Sequence, residues 1–480
     1  MESMVSLSNY DGLNGFGQTS LSEVDELRKA LSAGYAITNQ TGGSAMRVES
    51  LEQSLKVVTY SNKHIVLWRK INKSPAFSTV EEYNQLLSYG ATDRGAFTRE
   101  GELPQSSDTS YARRTALVKY LGTTREVTHP MTLVNPAHGD VVAMENQAGI
   151  LWLLERLEDS LFHGDSSLAF DGEAEQFDGL DSLIDTTAFV DLEGGAMTED
   201  AIEEASNQIF EHFGYPSDLF AGPKPLSDLV KQFYPRHRVS LPAPENGTIG
   251  QSINSMATQA GLIQFNPNLF LRKTKSPPAA ATSPSAPVAT GAVTAAVSGT
   301  ANSAEWDKQL GEVTGDTLFS YAVTACNRFG ESAPVYEDIT IAAADINNQE
   351  SVTLQVVLGA ALGPNPPEFL RIYRTDPLTA FSTTPADFYE ILKVPVSSQT
   401  AAATMVAVAT DRNFIIPGTY QGYMGEMSPN VLTFRQLAPM MKLDLAVLAP
   451  AYRWMVLMYG VPLLYTPLKW TRLINIGDLA

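Results

Sequence analysis

Six histidines (His64, His129, His138, His163, His212 and His237) and one cysteine, Cys326, are the side chains best suited to bind a metal or to act as acid, base or nucleophile. Their spacing supports none of these. No two histidines stand four apart, so no HExxH zinc helix exists. One thiol makes neither an intramolecular disulfide nor a thiolate zinc site. Cys326 sits in a strand-like run with Arg328 two residues on. A thiolate there is conceivable, but a buried, inert thiol is the expectation. Asp165, Asp171, Glu173, Glu175 and Asp178 could surround a cation, yet they miss the alternate-position pattern of a calcium loop. Gly12, Gly15 and Gly17 follow no strand and lack dinucleotide-binding spacing. Neither a P-loop nor a GxSxG elbow occurs. His237 lies between Arg236 and Arg238, where a phosphate contact competes with an ordinary ion pair. The expectation is a protein that is not an enzyme and holds no cofactor or metal.

Charge excludes more. The 480 residues carry 33 Lys+Arg against 53 Asp+Glu, a formal −20. Coating nucleic acid or an anionic membrane needs a basic face. From Ala137 to Glu211 there are 19 carboxylates and one basic residue, Arg156. A repelling surface or a cation site is the functional reading; most such runs are only a solvated face. The start (MESMVSLSNYDGLNG) has no basic or apolar run of a secretory signal. The longest apolar stretch, Trp454 to Tyr465, is too short to span a bilayer and contains Pro462. A soluble protein kept in a reducing compartment is expected, with room for about three domains.

The elements that must carry these residues fall into a definite order. Ser20 to Ser32 is a short amphipathic helix with Leu21, Val24, Leu27 and Leu31 on one face. Val80 to Leu87 and Tyr111 to Leu121 read as the strands of a long hairpin with an extended polar tip. The first strand carries Glu81 and Glu82 and the second Arg113, Arg114 and Lys119, which suggests cross-strand or intersubunit ion pairs. Ile150, Leu153, Leu154, Leu157 and Leu161 mark a helix from near Gly139 to Gly164. At about 25 residues it spans roughly 37 Å, the length of a structural spine. Thr198 caps a further helix with an apolar stripe of Ile202, Ala205, Ile209 and Phe213. Lys275 to Thr290 is a Pro/Ala/Ser-rich linker. Short strands follow it, among them Thr317–Thr324, Ser351–Leu358 and Phe369–Tyr373, and suggest a small sandwich whose β-pattern fades near Tyr423. Val431 to Ile476 reads as buried strands returning to the first core.

Two stretches are more specific. Tyr321-Ala-Val-Thr-Ala-Cys-Asn327-Arg-Phe-Gly330-Glu-Ser332 resembles the strand-and-turn signature of fibronectin type III modules, with Tyr321, Val323 and Ala325 inward and a turn at Asn327 and Gly330. Ile372-Tyr373-Arg374 resembles a later strand of such a module. The second is an ordered set of blocks: Trp68, Pro75 and Ser78-Thr79-Val80; Phe162 and Gly164-Asp165; Phe177-Asp178-Gly179-Leu180; Leu183-Ile184-Asp185. It continues through Gly425-Glu426-Met427-Ser428-Pro429, Pro439-Met440-Met441-Lys442-Leu443, Tyr459-Gly460 and Pro467-Leu468-Lys469-Trp470. From about residue 46 onward this set resembles the major capsid proteins of Twort-like contractile-tailed phages of staphylococci and their relatives.

The resemblance implies an α+β, Hong Kong 97-like capsid fold with an immunoglobulin-like β-sandwich insertion. The parts would be an N-terminal arm over 1–45, arm continuation and E-loop hairpin over 46–136, a peripheral and axial (P and A) core over 137–275 plus 428–480, and linker and insertion over 276–427. It further implies self-assembly into hexamers and pentamers of an icosahedral head that encloses double-stranded DNA without reading its sequence. The other partners implied are portal, scaffold and decoration proteins, with no membrane. Assembly would take place in the host cytoplasm. The intersubunit candidates on the E-loop are Glu81, Glu82, Arg94, Arg99, Arg113, Arg114 and Lys119. A competing reading, resting on Tyr321–Ser332 alone, is a tail or surface adhesin with a receptor- or sugar-binding module.

Overall fold

The computed structural model describes the chain outside residues 1–60, 91–96, 104–105, 135–138, 169–175, 238–253, 272, 274–275, 279–291, 302, 328–329, 359–366, 397–404, 447–448 and 480. The expected helix Ser20–Ser32 and most of the Pro-rich linker lie outside the described residues. The longest helix is Val141–His163, the spine. Its spacing of threes and fours buries Leu153, Leu154, Leu157 and Leu161 on one side, with Phe162 beside them. Residues 132–141 group with 1–58 as a separate unit; its described residues only end the short helix His129–Leu133 and begin the spine. Everything below concerns the other unit.

A four-stranded sheet runs in the order Asn72–Pro75, Leu432–Asp444, Ala451–Leu464, Lys119–Thr128. The first pair is parallel and the others antiparallel. The C-terminal stretch thus returns to complete a core begun 300 residues earlier in the chain, as its apolar composition requires. A six-stranded sheet orders Phe189–Asp191, Trp470–Ile476, Tyr420–Gly425, Asp218–Ala221, Gly261–Pro267 and Ser255–Thr258. Helices Glu199–Glu211 and Pro223–His237 pack on it, and Ile202, Ala205, Ile209 and Leu229 join Leu219, Ile263, Met424 and Leu473 in one core.

Thr198 caps the first of these helices as expected, accepting from the Ala201 amide at 3.3 Å. Phe213 departs from expectation. The helix stops at Glu211, Phe213 takes φ 61, and its ring is 87% exposed instead of completing the stripe. Helix Pro223–His237 is invisible to a search for apolar periodicity that treats proline as a breaker. Pro223 and Pro225 lie in its first turn, where a missing N–H costs no intrahelical bond.

Two facing sheets form a separate sandwich. One pairs Thr317–Asn327 with Gly330–Glu331, Val335–Ile341 and Phe369–Thr375, the last also pairing Phe388–Pro395; the other runs Met405–Asp411, Glu350–Leu358, Ala292–Ala301. Tyr321, Val323 and Ala325 do point into the shared core, against Val352, Leu354 and Val356. Asn327 pairs with Gly330 across the turn, whose amide donates to the Asn327 side chain at 3.1 Å. The opposite face of Thr317–Asn327 is buried as well, because Tyr373, Phe388 and Tyr336 cover Ala322. Strand Tyr420–Gly425 belongs to the six-stranded sheet, so Asp411 ends the sandwich.

Candidate assembly surface

The hairpin is Val80–Ser88 paired with Ser110–Leu117. The second strand is shorter than its composition suggests. At Val118 the chain turns its side chain into the core and donates its amide to Thr79, and Lys119–Thr128 then joins the four-stranded sheet. Lys119 therefore stands on that sheet, at the foot of the hairpin. Alternation follows the two-residue period of a strand. Glu81, Tyr83 and Gln85 are half-buried; the Gln85 amide donates to the Tyr465 carbonyl, and the Tyr83 ring meets Tyr465 edge-on at 5.0 Å. Among the described residues little else covers the hairpin. Phe77, Leu87, Tyr89, Phe97, Leu103 and Tyr111 are among its exposed large side chains, Phe97 at 99%. A two-stranded ribbon of this kind has no core of its own.

The charged candidates divide into different roles. Glu82 and Arg113 form the expected cross-strand pair at 3.3 Å, with both side chains about half exposed or more. Such a pair adds little to stability, on the order of 0–1 kcal/mol. Arg114 stands opposite Tyr83 and donates through Nε to Gln85 at 3.3 Å. Glu81 pairs with no cation among the described residues; its Oε1 accepts the amides of Phe77 at 3.0 Å and Ser78 at 3.4 Å, fixing the turn into the hairpin. The Arg99 carbonyl accepts from Glu102 at 3.0 Å and closes the tip. Arg94 lies outside the described residues.

Below the hairpin, four carboxylates of the acidic stretch, Glu158, Asp178, Asp181 and Asp191, are built into the fold, while others such as Glu203 and Glu204 stay exposed. Glu158 on the spine is fully buried, with no cation beside it among the described residues. Its carboxylate accepts from the amides of Val66, Leu67 and Trp68 at 3.0, 2.7 and 2.9 Å and from Asn268 Nδ2 at 2.7 Å. Burial raises this carboxyl above its ordinary range while the four N–H donors pull the other way. The result clasps residues 66–68 onto the spine. Asp181 accepts from Tyr423 Oη at 2.7 Å and pairs with His163 Nδ1 at 2.7 Å. Burial alone would raise Asp181, but the imidazole and the two hydrogen bonds outweigh it and hold the carboxyl below its usual value. Asp191 binds Lys308 of the sandwich at 2.6 Å and Asn475 at 2.8 Å. Asp178 accepts the Ser166 amide at 2.8 Å. These carboxylates terminate turns and join elements, a role a charge count cannot distinguish from a solvated face. Among the described residues no cluster of His, Cys, Asp and Glu could hold a metal ion.

The sequence blocks meet in space. Gly179 donates its amide to Gly164 at 2.8 Å, closing the neck of the loop between them. A Cβ on either glycine would lie 2.5–2.6 Å from backbone atoms of the other arm. Trp68 and Phe177 both meet Phe434 edge-on, at 4.9 and 6.1 Å. Gly460 lies against the same ring, and a Cβ there would come within 2.3 Å of it. Gly425 faces Trp470 across the sheet, where a Cβ would approach the indole to 2.2 Å. Lys469 pairs with Glu426 at 3.4 Å. The blocks are thus the points where the C-terminal strands close on the spine and on residues 62–80.

Cys326 is buried and shares a small cluster with Leu168 and Phe369; burial pushes its thiol up to about 12, so it is inert. The side chains around His237 lie outside the described residues. Among the described residues no helix is long and apolar enough to cross a membrane.

The SU10 major capsid protein family model matches residues 36–282, just over half of the chain, and the chain belongs to that family. The major capsid protein of Staphylococcus phage K is 28% identical over 471 residues, covering 95% of this chain and 96% of its own. The putative major capsid protein of Enterococcus phage phiEF24C is 29% identical over 464 residues, with the same coverage. Among solved structures, the capsid of cyanophage P-SCSP1u covers 92% of this chain and 97% of its own at 8% identity and a TM-score of 0.43. A chain from Gordonia phage Cozz covers 91% and 94% at 9% identity, also with a TM-score of 0.43. The function is that of a tailed-phage major capsid protein, and the adhesin reading finds no support.

Proposed function

From that family membership, we propose that this chain builds an icosahedral head from hexamers and pentamers, with the hairpin as the arm that ties one subunit to the next. The observation that carries this is the uncovered ribbon Val80–Leu117, whose large apolar side chains face solvent in the single chain. Burying one such side chain is worth roughly 1.5–3 kcal/mol, so several together make a stable contact between copies. Glu82, Arg99, Arg113 and Arg114 border this surface and set its register; Arg94 joins them by sequence.

The same reading divides the chain into an N-terminal arm (1–45), E-loop region (46–136), P and A core (137–275 with the return after Asp411, including Tyr420–Gly425) and an immunoglobulin-like insertion with its linker (from 276 to Asp411) of a Hong Kong 97-like subunit. The −20 charge suits a shell that encloses double-stranded DNA without gripping it. Portal, scaffold and decoration proteins would be its other partners, and the host cytoplasm the place of assembly. No part of this role needs a catalytic group.

The test is charge reversal on the arm. Arg113→Glu with Arg114→Glu should cut shell yield, counted by electron microscopy of particles, at least tenfold. The melting temperature of the unassembled chain should shift by no more than about 2 °C, as for exposed surface changes. Full shell yield from the double variant would reject the hairpin as the connecting arm.

A further inference from the structure

The sandwich and the six-stranded sheet each close an apolar core, and the two cores share no residue. Where the chain crosses from one to the other, between Asp411 and Tyr420, the contacts are mostly polar. On the sandwich side stands Glu305, flanked by the buried Ala304 and Trp306. Its amide donates to the Arg412 carbonyl at 2.8 Å, and its carbonyl accepts from Asn413 Nδ2 at 2.9 Å. On the sheet side, Asn475 Oδ1 accepts from the Ile416 amide at 2.8 Å. Asn475 Nδ2 donates to the Phe414 carbonyl at 3.0 Å and to Asp191 at 2.8 Å. Phe189 and Phe414 add an edge-on ring contact at 5.5 Å. An ion pair spans the joint, from Lys308 of the sandwich to Asp191 of the sheet at 2.6 Å.

Backbone strain gathers at the same place. Among the described residues, six non-glycine residues take a positive φ, and five of them stand at this joint. Asn413 and Asn475, both at φ 56, are fully buried and make the hydrogen bonds just described. Glu193, at φ 51, donates its amide to Asp191 at 2.9 Å. Ser303, at φ 63, lies two residues before Glu305. Gln349, at φ 56, accepts the Ala304 amide at 3.1 Å through its carbonyl. Such conformations are uncommon outside glycine, and they collect at sites that switch.

The ion pair is built so that it can open. Lys308 has a second carboxylate, Glu305, at 2.8 Å on its own side of the joint. Asp191 likewise keeps Asn475 and the Glu193 amide on its own side. Parting a buried pair is costly because it leaves a bare charge. Here neither charge is left bare. We propose that Lys308 is a latch: shared between Asp191 and Glu305 it holds the sandwich to the sheet, and resting on Glu305 alone it lets the two part at this joint. The two carboxylates then act in opposite senses. Asp191 binds Lys308 only when the joint is closed. Glu305 binds it in both states, and in the closed one it also repels Asp191 across the shared nitrogen.

Amide exchange of residues 413–416 in the full, unassembled chain tests it, with the spine amides as reference. Asp191→Asn keeps the shape and the side-chain acceptor but drops the charge, and exchange should rise about tenfold. Lys308→Gln, which leaves the sheet untouched, should raise it as much. Glu305→Gln should instead slow exchange roughly threefold, because it leaves Lys308 unpaired in the open joint and relieves the repulsion in the closed one. A static ion-pair network would loosen under all three substitutions. Exchange in Glu305→Gln that is unchanged or faster overturns the latch. So do rates at 413–416 that neither Asp191→Asn nor Lys308→Gln moves.

Discussion

The hairpin and the sandwich are both antiparallel β-structure cut from one chain, and they treat their side chains in opposite ways. The sandwich closes on itself. Its two sheets bury Trp306, Phe319, Tyr321, Leu354 and Ile372 to 0% exposure. It even encloses an ion pair: fully buried Arg374 donates to Asp411 and Asn413 and lies 4.8 Å over the Trp306 ring, while Tyr321 Oη donates to Asp411 at 2.8 Å. The hairpin leaves comparable side chains in water, and its ion pair, Glu82–Arg113, is open to solvent. Backbone geometry is the same in both. What differs is the second layer: the sandwich carries its own, and the hairpin has none among the described residues.

The largest expected effect would break the closed side of this contrast. Asp411→Ala strands the Arg374 guanidinium, the Tyr321 hydroxyl and the Asn413 amide in an apolar interior. Removing one partner of a buried pair costs about 3–5 kcal/mol. Amide exchange across Thr317–Asn327 should therefore rise by two orders of magnitude or more, while the spine amides keep their protection. A change of only a few-fold would mean that apolar packing alone holds the sandwich.

A smaller effect sharpens the open side. Phe77→Ser, Tyr89→Ser and Leu103→Ser together should leave the stability of the single chain within about 0.5 kcal/mol, since each side chain is already in water. Self-association, followed by sedimentation velocity, should weaken by at least a hundredfold. Loss of stability with unchanged association would show that these side chains serve their own subunit.

How far the sequence could be read follows the same divide. The spine, the Thr198 cap and the inward set Tyr321, Val323 and Ala325 were legible because each obeys a local period or a local cap. Lys119 was misplaced because nothing in Tyr111–Leu121 marks Val118 as the point where one sheet is left for another; that is decided by pairing with Ala451–Leu464, more than 300 residues on. The role of Glu158 is hidden from the sequence for the same reason. Its partners come from residues 66–68 and 268, and a carboxylate on a helix looks alike whether it meets water or four N–H donors. Phe213 fits a helical stripe by spacing, and only the early stop of the helix puts it outside. The charged residues of the hairpin are legible as a sequence pattern, whereas the exposure of their apolar companions is a property of three dimensions.

The smallest effect compares the two regions with one probe. Cys326 lies in the sandwich with its thiol pushed up to about 12 by burial. At pH 8 only about one molecule in ten thousand carries the thiolate, and the sulfur is also shielded from reagent. Leu87→Cys would instead place a thiol on the hairpin, at a position 63% exposed. In the unassembled native chain, iodoacetamide should modify this introduced thiol at least a thousand times faster than Cys326. Raising the pH toward 9 should speed the introduced thiol until it saturates near its ordinary value, while Cys326 stays slow and gains tenfold per pH unit. Denaturant should make the two rates equal. Comparable rates in the native chain would mean the sandwich opens often enough to expose its interior, and the contrast between a closed sandwich and an open hairpin would fail at the closed end.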